Sequence, residues 1–436
     1  MTQQTEADSA ARSPADARPD QQTWWKTLLR KGPVAIFASA LPGGVNYAII
    51  LFLSFNQPPQ EVGIFRILIS IFAMANLFAL SESQKIYIRA VAQNDRTAGA
   101  ALFMNQTVFA LALFLACATA LFLGAAIEGG RFEYARAIIV VTAISAVYMP
   151  TQSYMAYFQS KRWFLGLAVT ETLKYGSALS AFVLATTNGV NTSVAVYIQL
   201  AVMAAWNVIF FLIFARQFID FSVLRERTMT LLGVRSASEA RMISLAVVAP
   251  GVLEHLDKFV LGAAHGIAAV GVYALGYSTG RFLYNILKPA TYVFWRGYVD
   301  QMPPLRTLAI VCVGFSAFGA AMAAAFFAAV KLIPAMEAFR DSQYVTVILF
   351  LSWGVALADA IYTQSYSINK DRSARDVLVA NVTGALIAMP LIIAGGFVPA
   401  PGAAMIVLAL YYPVRHLAIM GTLWRLDAHH RKRSAA

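Results

Sequence analysis

The chain has only two cysteines among 436 residues, Cys117 and Cys312, and each sits inside an apolar run. That excludes a disulfide framework and a paired thiolate metal motif. The five histidines, His255, His265, His416, His429 and His430, make no metal-ligand spacing with acids or cysteines, so neither a metal nor a cofactor is expected. A glycine-rich phosphate loop leading into a helix is also missing, which argues against ATP-driven work by this chain alone. No catalytic constellation appears, and an enzyme is not expected. Charge is scarce too: charged residues make up 13% against 59% hydrophobic ones, where soluble domains run near one-quarter charged and half apolar. A water-soluble fold has no use for that much apolar surface.

What is present is a succession of long apolar runs. A helix needs about 20 apolar residues to cross the bilayer core. Runs of that order fall at 34–54, 62–80, 99–127, 137–158, 164–187, 193–215, 242–263, 267–290, 307–330, 344–366, 377–397 and 401–424. The fold class is therefore all-α, a polytopic membrane protein of about twelve transmembrane helices. The net charge of +12 does not point to nucleic acid, because Lys and Arg lie between the apolar runs. With the amino terminus inside, Lys26, Arg30, Lys31, Lys161, Arg162, Arg225, Arg235, Arg241, Arg296, Arg306, Arg375 and Arg431 all fall in the cytoplasm, whereas the opposite loops hold only Arg131, Arg136, Lys331 and Arg340. The positive-inside bias thus places both termini in the cytoplasm. Residues 1–33, polar and rich in Ala, Asp, Gln and Pro, read as a disordered cytoplasmic tail with no cleavable signal peptide, and 425–436 as a basic cytoplasmic tail.

The chain also repeats itself. Leu41-Pro42-Gly43-Gly44 is matched by Ala249-Pro250-Gly251-Val252, and Val62-Gly63-Ile64-Phe65 by Val270-Gly271-Val272-Tyr273, both at an offset of 208. Thr151-Gln152-Ser153-Tyr154 recurs identically as Thr363-Gln364-Ser365-Tyr366 at an offset of 212. Three matches in order, each at the equivalent run, indicate two six-helix bundles, 34–216 and 242–424, related by an internal parallel repeat. Such a pair encloses a central cavity. Between them, 217–241 mixes Phe218, Ile219, Phe221, Leu224, Leu231 and Leu232 with Arg and Glu, and reads as a cytoplasmic interfacial linker or a solvated loop.

Ionisable groups inside a span cost about 2.5 to 3.5 kcal/mol at mid-bilayer, so each is a functional hypothesis by default. Glu171 and Lys174 stand three apart on one helix face, and Glu254 and Lys258 four apart, spacings at which the pairs can neutralise each other. Four ionisable residues in Glu254-His255-Leu256-Asp257-Lys258 cannot all face lipid, so this span faces a polar interior. Arg66, Arg281 and Arg415 have no acid within a turn of their own helix and need partners elsewhere: Asp257 or Asp359 in structural pairs, or an anionic ligand. The guanidinium fork suits bidentate contact with phosphate or pyrophosphate. Arg415, beside His416 and near a span end, is the weaker ligand candidate. Tyr273, Tyr277, Arg281, Tyr284 and Lys288 form one helical stripe, either packing or a sugar-stacking surface, since cations interrupt it. Tyr148, Gln152, Tyr154 and Tyr157, with Tyr362, Gln364 and Tyr366, add hydrogen-bonding groups or interfacial anchors.

In these features the chain resembles the Wzx-type polysaccharide flippases of the multidrug/oligosaccharidyl-lipid/polysaccharide exporter superfamily. The resemblance runs over nearly the whole length through Pro42-Gly43-Gly44, Val62-Gly63-Ile64-Phe65, Asp257-Lys258-Phe259-Val260-Leu261-Gly262 and Val270-Gly271-Val272-Tyr273. It implies a V-shaped pair of bundles in the bacterial inner membrane, carrying undecaprenyl-pyrophosphate-linked oligosaccharide to the outer leaflet by alternating access for exopolysaccharide, capsule or O-antigen assembly. Membrane lipids and a glycan polymerase with its co-polymerase are the partners it implies, and nucleic acid is not among them. The substrate-binding residues it suggests are Arg281, Lys258, Arg66 and Lys174, beside the aromatic stripe of Tyr277, Tyr273 and Tyr284. Asp257, Glu254, Glu171 and Asp359 are the candidates for ion coupling. A cation-coupled multidrug exporter of the same superfamily is the alternative, with the excess of in-span Arg and Lys against it. A membrane glycan polymerase or ligase is the third reading, disfavoured by short outer loops.

Overall fold

The computed structural model describes residues 21–128, 133–161, 163–226, 228–291, 302–368 and 374–435. Within them the chain is helical throughout, with short connections and no strand. In lipid only a helix satisfies every backbone donor and acceptor within one segment, which is why apolar runs of this length fold so. The first set comprises α1 (Gln21–Asn56), α2 (Pro59–Phe78), α3 (Gln84–Ala92), α4 (Arg96–Glu128), α5 (Glu133–Thr151), α6 (Tyr154–Ser160), α7 (Phe164–Thr187) and α8 (Thr192–Phe214). After α9 (Phe221–Glu226) and α10 (Thr228–Leu231) come α11 (Arg235–His265), α12 (Ile267–Thr291), α13 (Leu305–Leu332), α14 (Ser342–Leu351), α15 (Trp353–Ile368), α16 (Ala374–Phe397) and α17 (Pro401–Ala435).

Each of the twelve apolar runs lies in one of these helices or in an adjacent pair, but they are not alike as membrane segments. Among the described residues seven stretches are long and apolar enough to cross a membrane, or eight when α14 and α15, bent by 47° at Ser352, count as one. The shortfall has a physical origin. Helices α7, α11 and α12 carry the in-span charges that lower their hydropathy, and the apolar part of α1 is the shorter stretch Ala40–Asn56. The chain boundaries also shift: α1 starts at Gln21, inside the segment expected to be a tail, while residues 1–20 lie outside the described residues. At the other end α17 continues to Ala435, through the basic segment.

The 217–241 segment is anchored and not a loose loop. Phe218, Ile219 and Leu231 are buried, and a Cβ on Gly99 of α4 would stand 1.9 Å from the Phe218 carbonyl oxygen, so only glycine admits this approach. Asp220 starts α9 by accepting from the Ser222 hydroxyl at 2.6 Å and its N–H at 3.0 Å. Those bonds, the hydroxyl's first, hold its carboxyl below the usual carboxylate range.

The two sets of helices meet through α1 and α2 on one side and α11 and α12 on the other. A Cβ on Gly63 would stand 2.1 Å from the carbonyl oxygen of Ile267, and one on Gly271 would stand 1.8 Å from that of Pro59. Both glycines and both carbonyls are related by the offset of 208, so the contact is reciprocal, as in an isologous interface. A second related pair lies further along: Gly43 faces Asn285 at 3.8 Å, and Gly251 faces Leu77 at 2.5 Å.

Candidate functional site

Beside this seam, α2, α11, α12 and α17 bring together most of the in-span charges. The helical stripe on α12 places Tyr273, Tyr277, Arg281 and Tyr284 on one face, all three tyrosines buried. Three cations surround the Tyr277 ring: Lys258 Nζ lies 4.0 Å from its centroid, the Arg281 guanidinium 5.2 Å and the Arg66 guanidinium 5.5 Å. Arg281 also covers the Tyr412 ring at 4.9 Å and that of Tyr284 at 5.7 Å. Cation–π contact of this kind is worth about 0.5 to 2 kcal/mol.

The ion pairs differ from those that helical spacing suggests. Lys258 pairs with its neighbour Asp257 at 2.6 Å and not with the Glu254 carboxylate, and its ammonium donates instead to the Glu254 carbonyl at 2.6 Å. Asp257 in turn accepts from the Tyr273 hydroxyl at 2.7 Å. The Glu254 carboxylate is thereby left for other helices. One oxygen pairs with Arg281 Nη1 of α12 and the other accepts from Arg415 Nη1 of α17 at 3.3 Å. The i,i+4 rule describes solvated helix faces; here two guanidinium groups compete for the same carboxylate and win it. Arg415, the weaker ligand candidate by position, thus stands inside the cluster.

The balance of this cluster is lopsided. Four cations, Arg66, Lys258, Arg281 and Arg415, face two carboxylates, Glu254 and Asp257. Arg66 pairs with no acid among the described residues, and Nε of Arg66, Arg281 and Arg415 is buried in each case without a hydrogen-bond acceptor. A buried guanidinium donor left unmet costs at least about 1 to 3 kcal/mol, so each of these N–H groups calls for a further acceptor. The cluster is reachable: side-chain exposure is 25% at Glu254, 14% at Arg281 and 13% at Arg415, against 0% at Lys258. Lys258 therefore lends charge from behind, while the arginines present donors.

Lys174 and Glu171 are not part of this cluster. They pair at 2.6 Å inside the first set of helices, both essentially fully buried. The Tyr154 hydroxyl donates to the same Glu171 oxygen at 3.0 Å, and Lys174 lies 4.8 Å from the Tyr175 ring centroid. Here the unmet atom is an acceptor, Glu171 Oε2. Asp359 stands at the edge of the main cluster, held by His416 Nδ1 at 2.6 Å and Thr363 at 2.9 Å, with the His416 ring 4.5 Å from that of Tyr412. Tyr362 and Tyr366 pack against each other. The Lys288 side chain lies outside the described residues. A cleft of 380 Å³ opens between α3, α4 and the start of α11, lined by residues such as Asp95, Arg235 and Glu239, and none of the expected site residues lines it.

No protein-family model and no curated protein matches the sequence. Solved structures do. The chain is similar to a multidrug resistance MATE family transporter of the MOP superfamily in its inward-facing conformation (TM-score 0.59, 13% identity, 92% of this chain and 96% of that one). It is similar also to such a transporter in the outward-facing conformation (TM-score 0.50, 16% identity, 93% and 96%). A third is a MOP superfamily transporter from Pyrococcus furiosus, described as having a binding pocket of reverse polarity that suggests a different function (TM-score 0.51, 14% identity, 94% and 96%). The fold is therefore that of the MOP-superfamily transporters.

Proposed function

We propose that this protein is a multi-pass carrier of the bacterial inner membrane that moves an anionic, lipid-linked oligosaccharide from the cytoplasmic to the outer leaflet. In this reading residues 34–216 and 242–424 are the two moving bundles. One observation carries it: Arg66, Arg281 and Arg415 each keep a buried Nε donor that the neighbouring carboxylates of Glu254 and Asp257 do not fill. A pyrophosphate offers several oxygens and at least two negative charges, matching the bidentate fork of each guanidinium and the surplus of cations. The lipid tail stays in the bilayer while the diphosphate and sugars pass between the bundles. Tyr273 and Tyr277, expected as a sugar-stacking surface, are buried instead, and the Tyr277 ring braces the cations that would meet the diphosphate. A polymerase and co-polymerase of glycan assembly would receive the product.

A multidrug exporter is the second reading, since two of the similar structures are described as multidrug resistance transporters. An amphipathic cationic drug, however, would meet a surplus of like charge at this cluster, a juxtaposition that costs several kcal/mol. The test is flipping of undecaprenyl-pyrophosphate-linked sugar in proteoliposomes containing wild type, Arg66→Ala or Arg281→Ala. Loss of flipping in both variants, with normal insertion, supports the anion site. Full flipping in both sinks it.

A further inference from the structure

The Glu254 carboxylate holds a position that the proposed cargo would need. Its two oxygens are divided between Arg281 on α12 and Arg415 on α17, so one side chain of α11 ties three helices together. Glu254 engages each arginine through Nη1 alone, Arg281 Nη1 donating also to the Tyr277 hydroxyl, and Nε of both remains buried without an acceptor. A carboxylate has two oxygens and cannot fill two forks; a diphosphate has enough acceptors for both. Glu254, at 25%, is also more exposed than Arg281 or Arg415, and it supplies Lys258 with its backbone carbonyl and not with its carboxylate. The side chain is thus free to leave without breaking the Lys258 contacts.

We infer that Glu254 is a resident anion, a placeholder that occupies the arginine pair in the empty carrier and is displaced from Arg281 and Arg415 when a diphosphate headgroup binds. This rests on the anion-carrier reading above. In the empty state the carboxylate neutralises two guanidinium groups that would otherwise repel each other and holds α11, α12 and α17 in one arrangement. On binding, the diphosphate takes over the tie between α12 and α17, and α11 is released from it. Loading thereby changes which helices are linked, giving the carrier a physical difference between its empty and loaded forms.

The test measures binding of undecaprenyl pyrophosphate to the purified full-length protein, with thermal melting in parallel. Glu254→Gln removes the competing charge and is expected to bind at least about tenfold more tightly than wild type, equivalent to about 1.4 kcal/mol. Without ligand the variant is expected to melt lower, because two arginines lose their counter-charge, and the ligand is expected to raise its melting temperature by more than it raises that of wild type. Equal or weaker binding by Glu254→Gln overturns the inference. If that variant does not fold, Glu254→Asp carries the test: a carboxylate shortened by one methylene bridges both arginines poorly, so tighter binding than wild type is again expected and equal or weaker binding again overturns it. Should wild type bind no undecaprenyl pyrophosphate at all, the carrier reading itself fails. Should wild type bind it and Arg281→Ala lose it while Glu254→Gln gains nothing, the placeholder alone fails.

Discussion

Among the described helices, the polar clusters around Lys174 and around Tyr277 are built on opposite terms. Around Lys174 one cation meets one carboxylate, both sealed from solvent and boxed by tyrosines, and the atom left unmet is an acceptor. Around Tyr277 four cations meet two carboxylates, solvent reaches the arginines, and the atoms left unmet are donors. A sealed, balanced pair gains nothing from a ligand and loses heavily when one partner is removed. An open, unbalanced cluster loses less on substitution and gains from an anion. On the proposed anion-carrier reading, burial and charge balance together separate an ion pair that serves the fold from one that would serve binding.

The sharpest way to break this contrast is at Glu171. Glu171→Ala strands a fully buried ammonium, and a loss of about 3 to 5 kcal/mol in stability is expected from the behaviour of buried pairs, read as a lowered melting temperature of the purified protein. Replacing both partners together, Lys174→Met with Glu171→Leu, should recover most of that loss. If the double variant flips lipid-linked sugar normally, the first cluster is structural; loss of flipping in a stable double variant would move it into the transport site.

Arg66→Ala is the converse case. No acid among the described residues depends on Arg66, so melting should change by less than about 1 kcal/mol while affinity for undecaprenyl pyrophosphate falls by about tenfold, the scale of one charge-assisted contact. Arg281→Lys asks a finer question. A point charge in place of the fork should bind better than alanine and worse than arginine in the same titration.

The seam offers a comparison of packing in place of charge. Gly63→Ala and Gly271→Ala each press a methyl into a backbone carbonyl of the facing helix, at an expected cost of about 1 to 3 kcal/mol. Because the two contacts are reciprocal, the two costs should agree within error in denaturation experiments. Gly44→Ala has nothing within 4 Å to strike and should be neutral or stabilise the helix by up to about 1 kcal/mol.

Hydropathy made the helices legible, and the repeated glycine motifs marked where the two sets of helices touch, although not that Gly63 and Gly271 each face the first carbonyl of the other's helix. The Glu171–Lys174 pair was readable because its spacing is local. The pairing of Glu254 was not: its partners lie on α12 and on α17, and Arg415 is 161 positions away. Charges this close in sequence suggest the nearest partner, yet inside a bundle the nearest partner in space belongs to another helix. Arg415, Tyr412 and His416 entered the cluster for that reason. The signal that could have found them is the run Tyr411-Tyr412-Pro413-Val414-Arg415-His416, where Tyr411 stands four residues before Arg415 as Tyr277 does before Arg281. The break between α5 and α6 was equally hidden, since the identical Thr-Gln-Ser-Tyr motif interrupts the helix at 151–154 and continues it at 363–366.

The central claim is that the unbalanced cluster selects an anionic cargo. Equilibrium binding to the purified protein of undecaprenyl pyrophosphate and of a lipophilic cation, tetraphenylphosphonium, each measured before and after Arg281→Ala, tests it most directly. The account predicts binding of the diphosphate that weakens at least about tenfold in the variant, with no binding of the cation to wild type. Tight binding of the cation to wild type, with none of the diphosphate, would contradict it.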